Sequence, residues 1–409
     1  MVYKLLFLFI TSLSLWAREL PPLEQKLYNY IKKSQIKKHD ISRYIGTWPS
    51  YPKYSGARVE IPESNSFMTL QTIVLLKQVS RNYKLNDIED IFSLADKQIQ
   101  NYVDDAKKTD ELKGTISFWP LIKTDDGKYI RSFDTKWYNS SMRILDIGND
   151  FDTSSQAFSW FYISNTHKEF LDNFVNSVAI HVDKDREEEH FSNYKWKTKD
   201  TGAFLTWAEE EAPKKPINRI MDLVNDVDCV VNLNILTALS NYENHIDSLP
   251  LKTQVARDKS CTLIKEVIKN NNEDICGTWY TRKSHFYLAF SKAYTSDTFC
   301  IADEKNIVLK RAKRKARELL KHPRLKAYTE IAEYIIIIKD LTKNRTYLTK
   351  ILLDDLEKEL KKGIVEKDAY AYLPSRHSLF GGQAFKYFHF NWYGRANATA
   401  LALRALSMK

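Results

Sequence analysis

The chain has 409 residues, of which 43% are hydrophobic and 28% are charged, and its formal net charge is +10. Glycine and proline occur only 11 times each, which excludes collagen-like and low-complexity classes. The same scarcity of turn residues disfavours β-sandwiches and glycine-rich nucleotide-binding folds. We therefore expect a large, mostly helical globular protein.

Residues 1–17 have the outline of a secretory signal peptide. A lysine precedes an apolar run from Leu5 to Leu15, and the small residue Ala17 is suited to cleavage. The run is too short to span a bilayer, and a buried first helix is the alternative interpretation. We expect export to a periplasm or to the exterior, with residues 18–409 forming the mature chain.

Four cysteines remain, and they show no C-x-x-C spacing, which disfavours a structural zinc site. They are Cys229, Cys261, Cys276 and Cys300. An exported chain permits disulfides, so a bridge could form among Cys261, Cys276 and Cys300. Buried free thiols are the alternative, and the sequence does not choose the pair.

Amphipathic and largely apolar helical patterns alternate along the chain. The amphipathic segments are 22–38, 86–107, 167–182, 255–272, 302–322 and 345–362. The apolar segments that follow them are 65–79, 150–165, 226–242, 283–295, 325–341 and 393–408. A helix that is apolar nearly all round must be buried, so six such pairs predict an all-α (α/α)6 toroid of one domain. An open α-solenoid, the alternative, would keep a more constant repeat length.

Similar loops precede most of the apolar segments, and most of them combine a glycine with a tryptophan. They are Gly46–Pro49, Gly114–Pro120, Gly202–Trp207, Gly277–Tyr280 and Ala371–Pro374. The glycine permits a sharp turn, and the tryptophan packs against helix ends. In these features the chain resembles the superfamily of terpenoid cyclases and protein prenyltransferases, α/α toroids in which G-x-W elements recur between paired helices. The resemblance covers most of the mature chain and implies a fold rather than an activity.

Two apolar segments begin with the same acidic signature, N-D-x-D, at Asn149 and at Asn225. Helix capping is the structural explanation, because Asn and Asp are favoured N-caps. In a toroid the inner helices point the same way, so these carboxylates would converge at one mouth of the central cavity. The converging residues are Asp150, Asp152, Asp226 and Asp228. Converging carboxylates raise one another's pKa and supply a candidate general acid; they could also hold a divalent cation such as calcium or magnesium.

The first signature is similar to the D-x-D-D acid motif of class II terpene cyclases. Asp150 and Asp152 match its first and third positions, and Thr153 stands where the motif has its last Asp. The resemblance implies that Asp152 is the protonating acid. The metal-binding D-D-x-x-D pattern and a zinc-type ligand set are absent from the sequence, so we expect that no cofactor is required.

Aromatic side chains near the helix starts are candidates for substrate binding, because ring faces stack on sugars and attract cations. Ordinary core packing is the alternative. The aromatic candidates are Trp119, Trp160, Trp207, His285, Tyr287, Tyr372 and Trp392. Arg395, which borders the loop before the last apolar segment, is a candidate for binding an anionic or polar substrate.

Most of the excess positive charge lies in one amphipathic segment. Residues 305–326 contain ten Lys or Arg residues and a single acidic residue, Glu318. This pattern predicts an outer helix whose cationic surface is either simply solvated or attracted to anionic lipid headgroups or an acidic polymer. No nucleic-acid recognition motif occurs, so we expect no nucleic-acid partner.

Three functions remain open, and none of them uses the serine-hydrolase, P-loop or zincin motifs, which are absent. The first is an exported terpene-cyclase-like enzyme that uses carboxylates for acid/base chemistry on a small hydrophobic substrate. The second is a carbohydrate-active toroid enzyme, either a glycoside hydrolase or a polysaccharide lyase. The third is a non-catalytic envelope binding protein. We expect a monomer. A deep apolar cavity would favour the first function, an open aromatic groove with two carboxyl groups the second, and a filled centre the third.

Overall fold

A computed structural model describes residues 18–39, 42–54, 63–109, 113–123, 127, 129–131, 148–185, 190–193, 196–208, 227–276, 279–280, 282–322, 327–343, 345–375, 380–385 and 388–409. The predicted signal peptide, residues 1–17, lies outside this set. The described part of the chain is mostly helical, with twelve α-helices and only short strands. The predicted all-α class is confirmed.

Six of the helices in the described ranges are amphipathic or polar on their outer side. They are α1 (Pro22–Ser34), α3 (Ile88–Thr109), α5 (Lys168–Val178), α7 (Leu251–Lys269), α9 (Lys305–Lys321) and α11 (Tyr347–Gly363). The other six are buried along most of their length. They are α2 (Ser66–Ser80), α4 (Phe151–Ser164), α6 (Cys229–His245), α8 (Lys283–Thr295), α10 (Tyr328–Leu341) and α12 (Arg395–Ser407).

The buried helices pack against one another in chain order. Helix α2 contacts α4, α4 contacts α6, α6 contacts α8, α8 contacts α10, and α10 contacts α12. The last buried helix, α12, also packs against the first, α2. The hydrophobic core lies between these helices and the amphipathic ones, and it includes the fully buried rings of Phe151, Phe158 and Tyr334.

For most helices the spatial pairing differs by one step from the order in which the sequence patterns alternate. The predicted pair of α9 and α10 is the exception, because these two helices pack against each other more extensively than α8 and α9 do. Each of α2, α4, α6, α8 and α10 packs against the amphipathic helix that follows it, and α12 packs against α1. The reason is the length of the connections: only Asn165–His167 separates α4 from α5, and a short connection places two helices side by side. The glycine-tryptophan loops before the buried helices are longer and cross to the next pair.

The strands are short. They are β1 (Arg18–Glu19), β2 (Pro49–Tyr54), β3 (Glu63–Ser64), β4 (Tyr83–Lys84), β5 (Ile116–Ser117), β6 (Leu121–Lys123), β7 (Tyr129–Arg131), β8 (Asn149–Asp150), β9 (His190–Asn193), β10 (Trp196–Thr198), β11 (Val365–Glu366), β12 (Ala371–Tyr372), β13 (Phe380–Phe385) and β14 (Phe388–Tyr393). Four of them form one antiparallel sheet in the order β13-β14-β2-β3. In this sheet Phe390 lies opposite Tyr54, and Tyr393 lies opposite Tyr51. The segment that precedes α12 is therefore paired with the segment that precedes α2.

Two disulfides join the four cysteines. Cys229 pairs with Cys276 at a Cα–Cα distance of 5.6 Å, and Cys261 pairs with Cys300 at 5.9 Å. The expected bridge among Cys261, Cys276 and Cys300 is present as the pair Cys261–Cys300. No partner was predicted for Cys229. The alternative of free thiols is wrong, because all four cysteines are bridged.

No helix in the described ranges is both long and apolar enough to cross a membrane.

Candidate functional site

A cavity of about 430 Å³ lies between the six buried helices. Each of these helices contributes at least one polar or charged side chain to the lining, namely Gln71, Gln156, Asn234, Lys292, Glu333 and Arg404. The lining extends to Arg81, His245 and Asp297, which are exposed at or just beyond the C-terminal ends of α2, α6 and α8. The cavity therefore opens to solvent at this end, whereas the acidic signatures predicted a functional mouth at the N-terminal ends.

Polar residues line the cavity in pairs that are seven positions apart on five of the helices. The pairs are Gln71 and Gln78, Asn234 and Asn241, His285 and Lys292, Glu333 and Asp340, and Asn397 and Arg404. Seven residues are two helical turns, so each pair lies on one face of its helix. The interior of the helix ring is therefore polar, although the helices around it are largely apolar.

Asp152, the acid implied by the terpene-cyclase resemblance, is buried in the first turn of α4. The side-chain amide of Asn234 donates a hydrogen bond of 2.8 Å to its Oδ1 atom, and the hydroxyl of Tyr280 donates a short one to Oδ2. Burial raises the pKa of Asp152 to about 6, although these two hydrogen bonds favour the ionised form. Asn234 and Tyr280 both line the cavity, so Asp152 fixes two side chains of its wall.

Asp150 is the N-cap of α4. Its Oδ1 atom accepts a hydrogen bond of 2.6 Å from the backbone N–H of Thr153, and its Oδ2 atom accepts one of 2.8 Å from the Thr153 hydroxyl. Burial, together with the nearby charge of Asp152, raises the pKa of Asp150 to about 8. Thr153, which replaces the last Asp of the terpene-cyclase motif, therefore donates hydrogen bonds to both oxygens of the Asp150 carboxyl.

Asp228 is the N-cap of α6. It accepts a hydrogen bond of 2.8 Å from the backbone N–H of Val230 and one of 3.1 Å from the backbone N–H of Trp279. The capping explanation thus accounts for the contacts of Asp150 and Asp228. Asp226, the remaining predicted acidic residue, lies outside the described residues.

A second, smaller pocket of about 50 Å³ lies beside Asp150 and Asp152. Its aromatic lining is Phe67, Phe118, Trp207, Trp279 and Trp392. Two predicted binding residues, Trp207 and Trp392, are therefore next to two predicted acids. Ligand pockets usually measure about 300–1,000 Å³, so the large cavity is in this range and the aromatic pocket is far below it.

Two other predicted aromatic residues are hydrogen-bond donors in the core. The indole N–H of Trp119 donates to Glu63, and that of Trp160 donates to Asp96 at 2.7 Å. Glu63 is fully buried, and burial raises its pKa to about 7 despite the hydrogen bonds it accepts. Neither tryptophan lines the large cavity.

Three predicted binding residues lie away from the cavity. The hydroxyl of Tyr287 is 3.5 Å from Oε1 of Glu273. Tyr372 stacks on Tyr30 with ring centroids 5.1 Å apart. Arg395 is exposed at the start of α12.

His285 is the predicted residue that does line the large cavity. Its Nε2 atom lies 3.6 Å from Oε1 of Glu333, and the two side chains are 6% and 4% exposed. Neither ring nitrogen has a hydrogen-bond partner among the described residues. Burial lowers the pKa of His285 to about 3 and raises that of Glu333 to about 7. Two titratable groups with strongly perturbed pKa values thus meet in one cavity, which is typical of functional sites.

A second group of charges lies nearer the open end. Burial lowers the pKa of Lys292, while the carboxyl groups of Asp152, Asp340 and Glu333 act in the opposite direction. Burial also raises the pKa of Asp340 to about 6. Nε of Arg404 donates a hydrogen bond of 3.1 Å to Oε1 of Gln78. The cavity therefore offers both proton-transfer groups and fixed hydrogen-bond donors.

The sequence patterns identified His285 but missed Lys292, Glu333, Asp340 and Arg404. The signal that could have found them is the seven-residue spacing of polar residues on otherwise apolar helices. The acidic signatures instead predicted a site at the helix starts, where Asp150 and Asp228 cap helices.

In the part of the chain that the structure describes, no group of three or more His, Cys, Asp or Glu side chains is arranged to hold a metal ion. The chain matches no protein-family model, no curated protein and no solved structure.

Proposed function

We propose that the chain is an (α/α)6 toroid enzyme that performs acid/base chemistry on a polar, hydroxyl-rich substrate in its central cavity. The toroid is supported by the order of helix contacts, in which α12 packs against α2. It is also supported by a cavity to which all six buried helices contribute. On this proposal residues 18–409 are a single domain.

A carbohydrate is the substrate class that this cavity favours. Its lining includes five pairs of polar residues, and this single observation carries the proposal. Amide and guanidinium groups have more donors and acceptors than the contacts within the wall use. A hydroxyl-rich ligand can bond to the remaining ones, whereas a hydrocarbon would bury them unpaired at a cost of about 1–3 kcal/mol each. We therefore favour a glycoside hydrolase or polysaccharide lyase over a binding protein, because the cavity also contains titratable groups.

Glu333 is the proposed general acid. With a pKa of about 7 it is partly protonated at neutral pH, which suits a group that both gives and accepts a proton. Asp340 lies two turns further along the same face of α10, and its pKa of about 6 leaves it mostly ionised at neutral pH. Two carboxyl groups whose pKa values differ can take the acid and base roles. The proposed reaction needs no cofactor.

Terpene-cyclase-like chemistry is the second candidate. The observation that favours it is the aromatic pocket beside Asp152, which is lined in part by Trp207 and Trp392. Its volume of about 50 Å³ is the argument against it, because a terpenoid substrate needs a pocket several times larger.

Export is part of the proposal. The signal-peptide pattern of residues 1–17 supports it, and so do the two disulfides, since disulfides persist mainly in oxidising compartments. We propose that the protein acts as a monomer in a periplasm or outside the cell.

The test is turnover of neutral and acidic oligosaccharides by the purified protein, followed by reducing-end release and by the absorbance of unsaturated products. We expect cleavage by the wild type and a loss of about 10²-fold or more in Glu333→Gln, as for removal of a general acid. The matched control is Glu89→Gln, which makes the same change at an exposed residue of α3 that does not line the cavity.

Two results would contradict the proposal. One is that the wild type neither binds nor cleaves any oligosaccharide of the panel. The other is that Glu333→Gln and Glu89→Gln reduce turnover equally. Turnover of a prenyl diphosphate or linear isoprenoid that Asp152→Asn abolishes would favour the second candidate instead.

A further inference from the structure

The outer helix α9 carries an exposed row of positive charge. Lys310, Arg314, Arg317 and Lys321 are all exposed and are spaced by four, three and four residues. This spacing places them on one face of the helix, over a rise of about 16 Å. We refer to these four residues as the cationic row.

Most of this charge is not neutralised within the protein. Arg314 lies 3.8 Å from Glu318, at the outer limit of an ion pair. Among the described residues, no acidic side chain lies within 4 Å of Lys310, Arg317 or Lys321. By contrast Arg311, on the inner side of the same helix, is bound to Glu273 and to the backbone carbonyl of Ile268. The inner cations of α9 stabilise the fold, whereas the cationic row faces solvent.

Large apolar side chains are exposed next to the cationic row. Helix α11 packs against α9, and the Nζ atom of Lys313 donates a hydrogen bond of 2.8 Å to the hydroxyl of Thr349. The start of α11 is therefore beside the middle of α9. There Tyr347 is 77% exposed and Leu348 is 68% exposed.

Two more apolar residues continue this surface, since Ile351 on α11 and Ile307 on α9 are each at least 40% exposed. Single exposed apolar residues are ordinary. A group of large ones on adjoining helices beside unpaired cations is typical of proteins that bind a lipid interface.

We propose that this surface of α9 and α11 binds peripherally to an anionic lipid bilayer. The cationic row would lie against lipid headgroups, and Tyr347 and Leu348 would enter the boundary between headgroups and acyl chains. A soluble acidic polymer would account for the cationic row alone. It would not account for the exposed Tyr347 and Leu348, and for this reason we favour a membrane. This inference does not depend on the proposed enzymatic activity.

The test is co-sedimentation of the purified full-length mature chain with sucrose-loaded vesicles. Two compositions are compared: phosphatidylcholine alone, and phosphatidylcholine mixed with phosphatidylglycerol. We expect binding only to the anionic vesicles, and we expect high salt to weaken it, because salt screens exposed charges. Changing all four residues of the cationic row to Gln should weaken binding more than about tenfold, since each basic residue near an anionic surface contributes.

Matched variants control for charge and for hydrophobicity. The charge control replaces Lys252, Lys259, Lys265 and Lys269 of α7 by Gln, which removes the same net charge from another outer helix where these lysines are exposed. The apolar variant is Tyr347→Ser with Leu348→Ser, and its control is Ile180→Ser, since Ile180 is 65% exposed elsewhere. Both controls should bind as the wild type does, and the apolar variant should bind more weakly. Because all of these side chains are exposed, the variants should fold.

Three outcomes would overturn the inference. The first is that the wild type does not bind phosphatidylglycerol vesicles. The second is that the α7 variant loses as much binding as the variant of the cationic row. Binding would then depend on net charge, or on α7 itself, where Leu251 and Val255 are also exposed. The third is binding of the wild type to a soluble polyanion such as heparin without binding to vesicles, which would make the surface a polymer site.

Discussion

The Nε2 atom of His285 lies 3.6 Å from Oε1 of Glu333, across the contact between α8 and α10. Burial holds the pKa of the imidazole near 3 and that of the carboxyl near 7. Between these values both groups are neutral, so the contact is not an ion pair in that range. At neutral pH Glu333 can exchange a proton while His285 stays uncharged and available for hydrogen bonding.

Glu333→Gln should remove a pH dependence of the folding free energy. The unfolded state releases the Glu333 proton near its ordinary pKa of about 4.3, whereas the folded state keeps it until about pH 7. The stability that this group contributes is therefore fully present below the unfolded pKa and is lost as pH rises through the folded pKa. For the wild type this loss is about 4 kcal/mol, at 1.36 kcal/mol per pKa unit.

Urea denaturation at several pH values between roughly 4.5 and 8 measures this effect. Relative to the wild type, the Gln variant should gain stability as the pH rises. Asp354→Asn, at an exposed position of α11, is the control and should leave the pH profile unchanged. An identical profile in Glu333→Gln and the wild type would contradict the raised pKa.

Gly114→Ala should destabilise the protein more than Gly127→Ala does. Both glycines have positive φ angles, of 78° and 81°, so alanine at either site costs about 1 kcal/mol in backbone strain. A Cβ atom at Gly114 would also overlap the backbone of Phe174 in α5, whereas at Gly127 no atom of the described residues lies within 4 Å. We expect an additional loss of at least about 2 kcal/mol for Gly114→Ala. Equal midpoints of urea denaturation in the two variants would contradict the close approach of the loop to α5.

Removing either disulfide should lower stability without preventing assembly of the core. The bridges join residues that are 47 and 39 positions apart, and loops of this length correspond to about 4 kcal/mol each in the chain-entropy model. The variants are Cys229→Ala with Cys276→Ala, and Cys261→Ala with Cys300→Ala. Their midpoints of urea denaturation should both fall relative to the wild type.

A thiol titration of the denatured, unreduced protein checks the same pairing. It should detect no free thiol in the wild type and none in either double variant. Four reactive thiols in the wild type would contradict both bridges.

The helical content and the division into buried and amphipathic helices could be predicted from the sequence. A helix that is apolar on most of its surface, such as the one predicted for residues 325–341, must be buried. This can be predicted from the segment itself. Which helix packs against which is not local. It depends on the lengths of loops that contain no helical signal. The alternation therefore predicted the contact of α9 with α10 but placed most other pairs one step out of register. The strand formed by Phe388–Tyr393 was missed because its partner, Pro49–Tyr54, lies more than 300 positions away.

The candidate site was only partly predictable. The acidic signatures correctly placed Asp150 and Asp228 at helix starts. Their carboxyl groups, however, accept hydrogen bonds mostly from backbone N–H groups, as helix caps do. Capping and catalysis use the same residue types, so composition alone does not separate them. Glu333 was not predicted, because the sequence of α10 does not show whether an acidic side chain faces solvent or the neighbouring buried helices.

Contacts between segments far apart in the sequence have a consequence for when the protein can fold. Gln71 is hydrogen-bonded to Asn397, which is 326 positions later in the chain, and Lys26 is bound to Glu366, 340 positions later. Most helix contacts join neighbouring segments, whereas these join segments more than 300 positions apart. Contacts of such long range form slowly. Until the segment that contains α12 has been made, the face of α2 that packs against it stays uncovered.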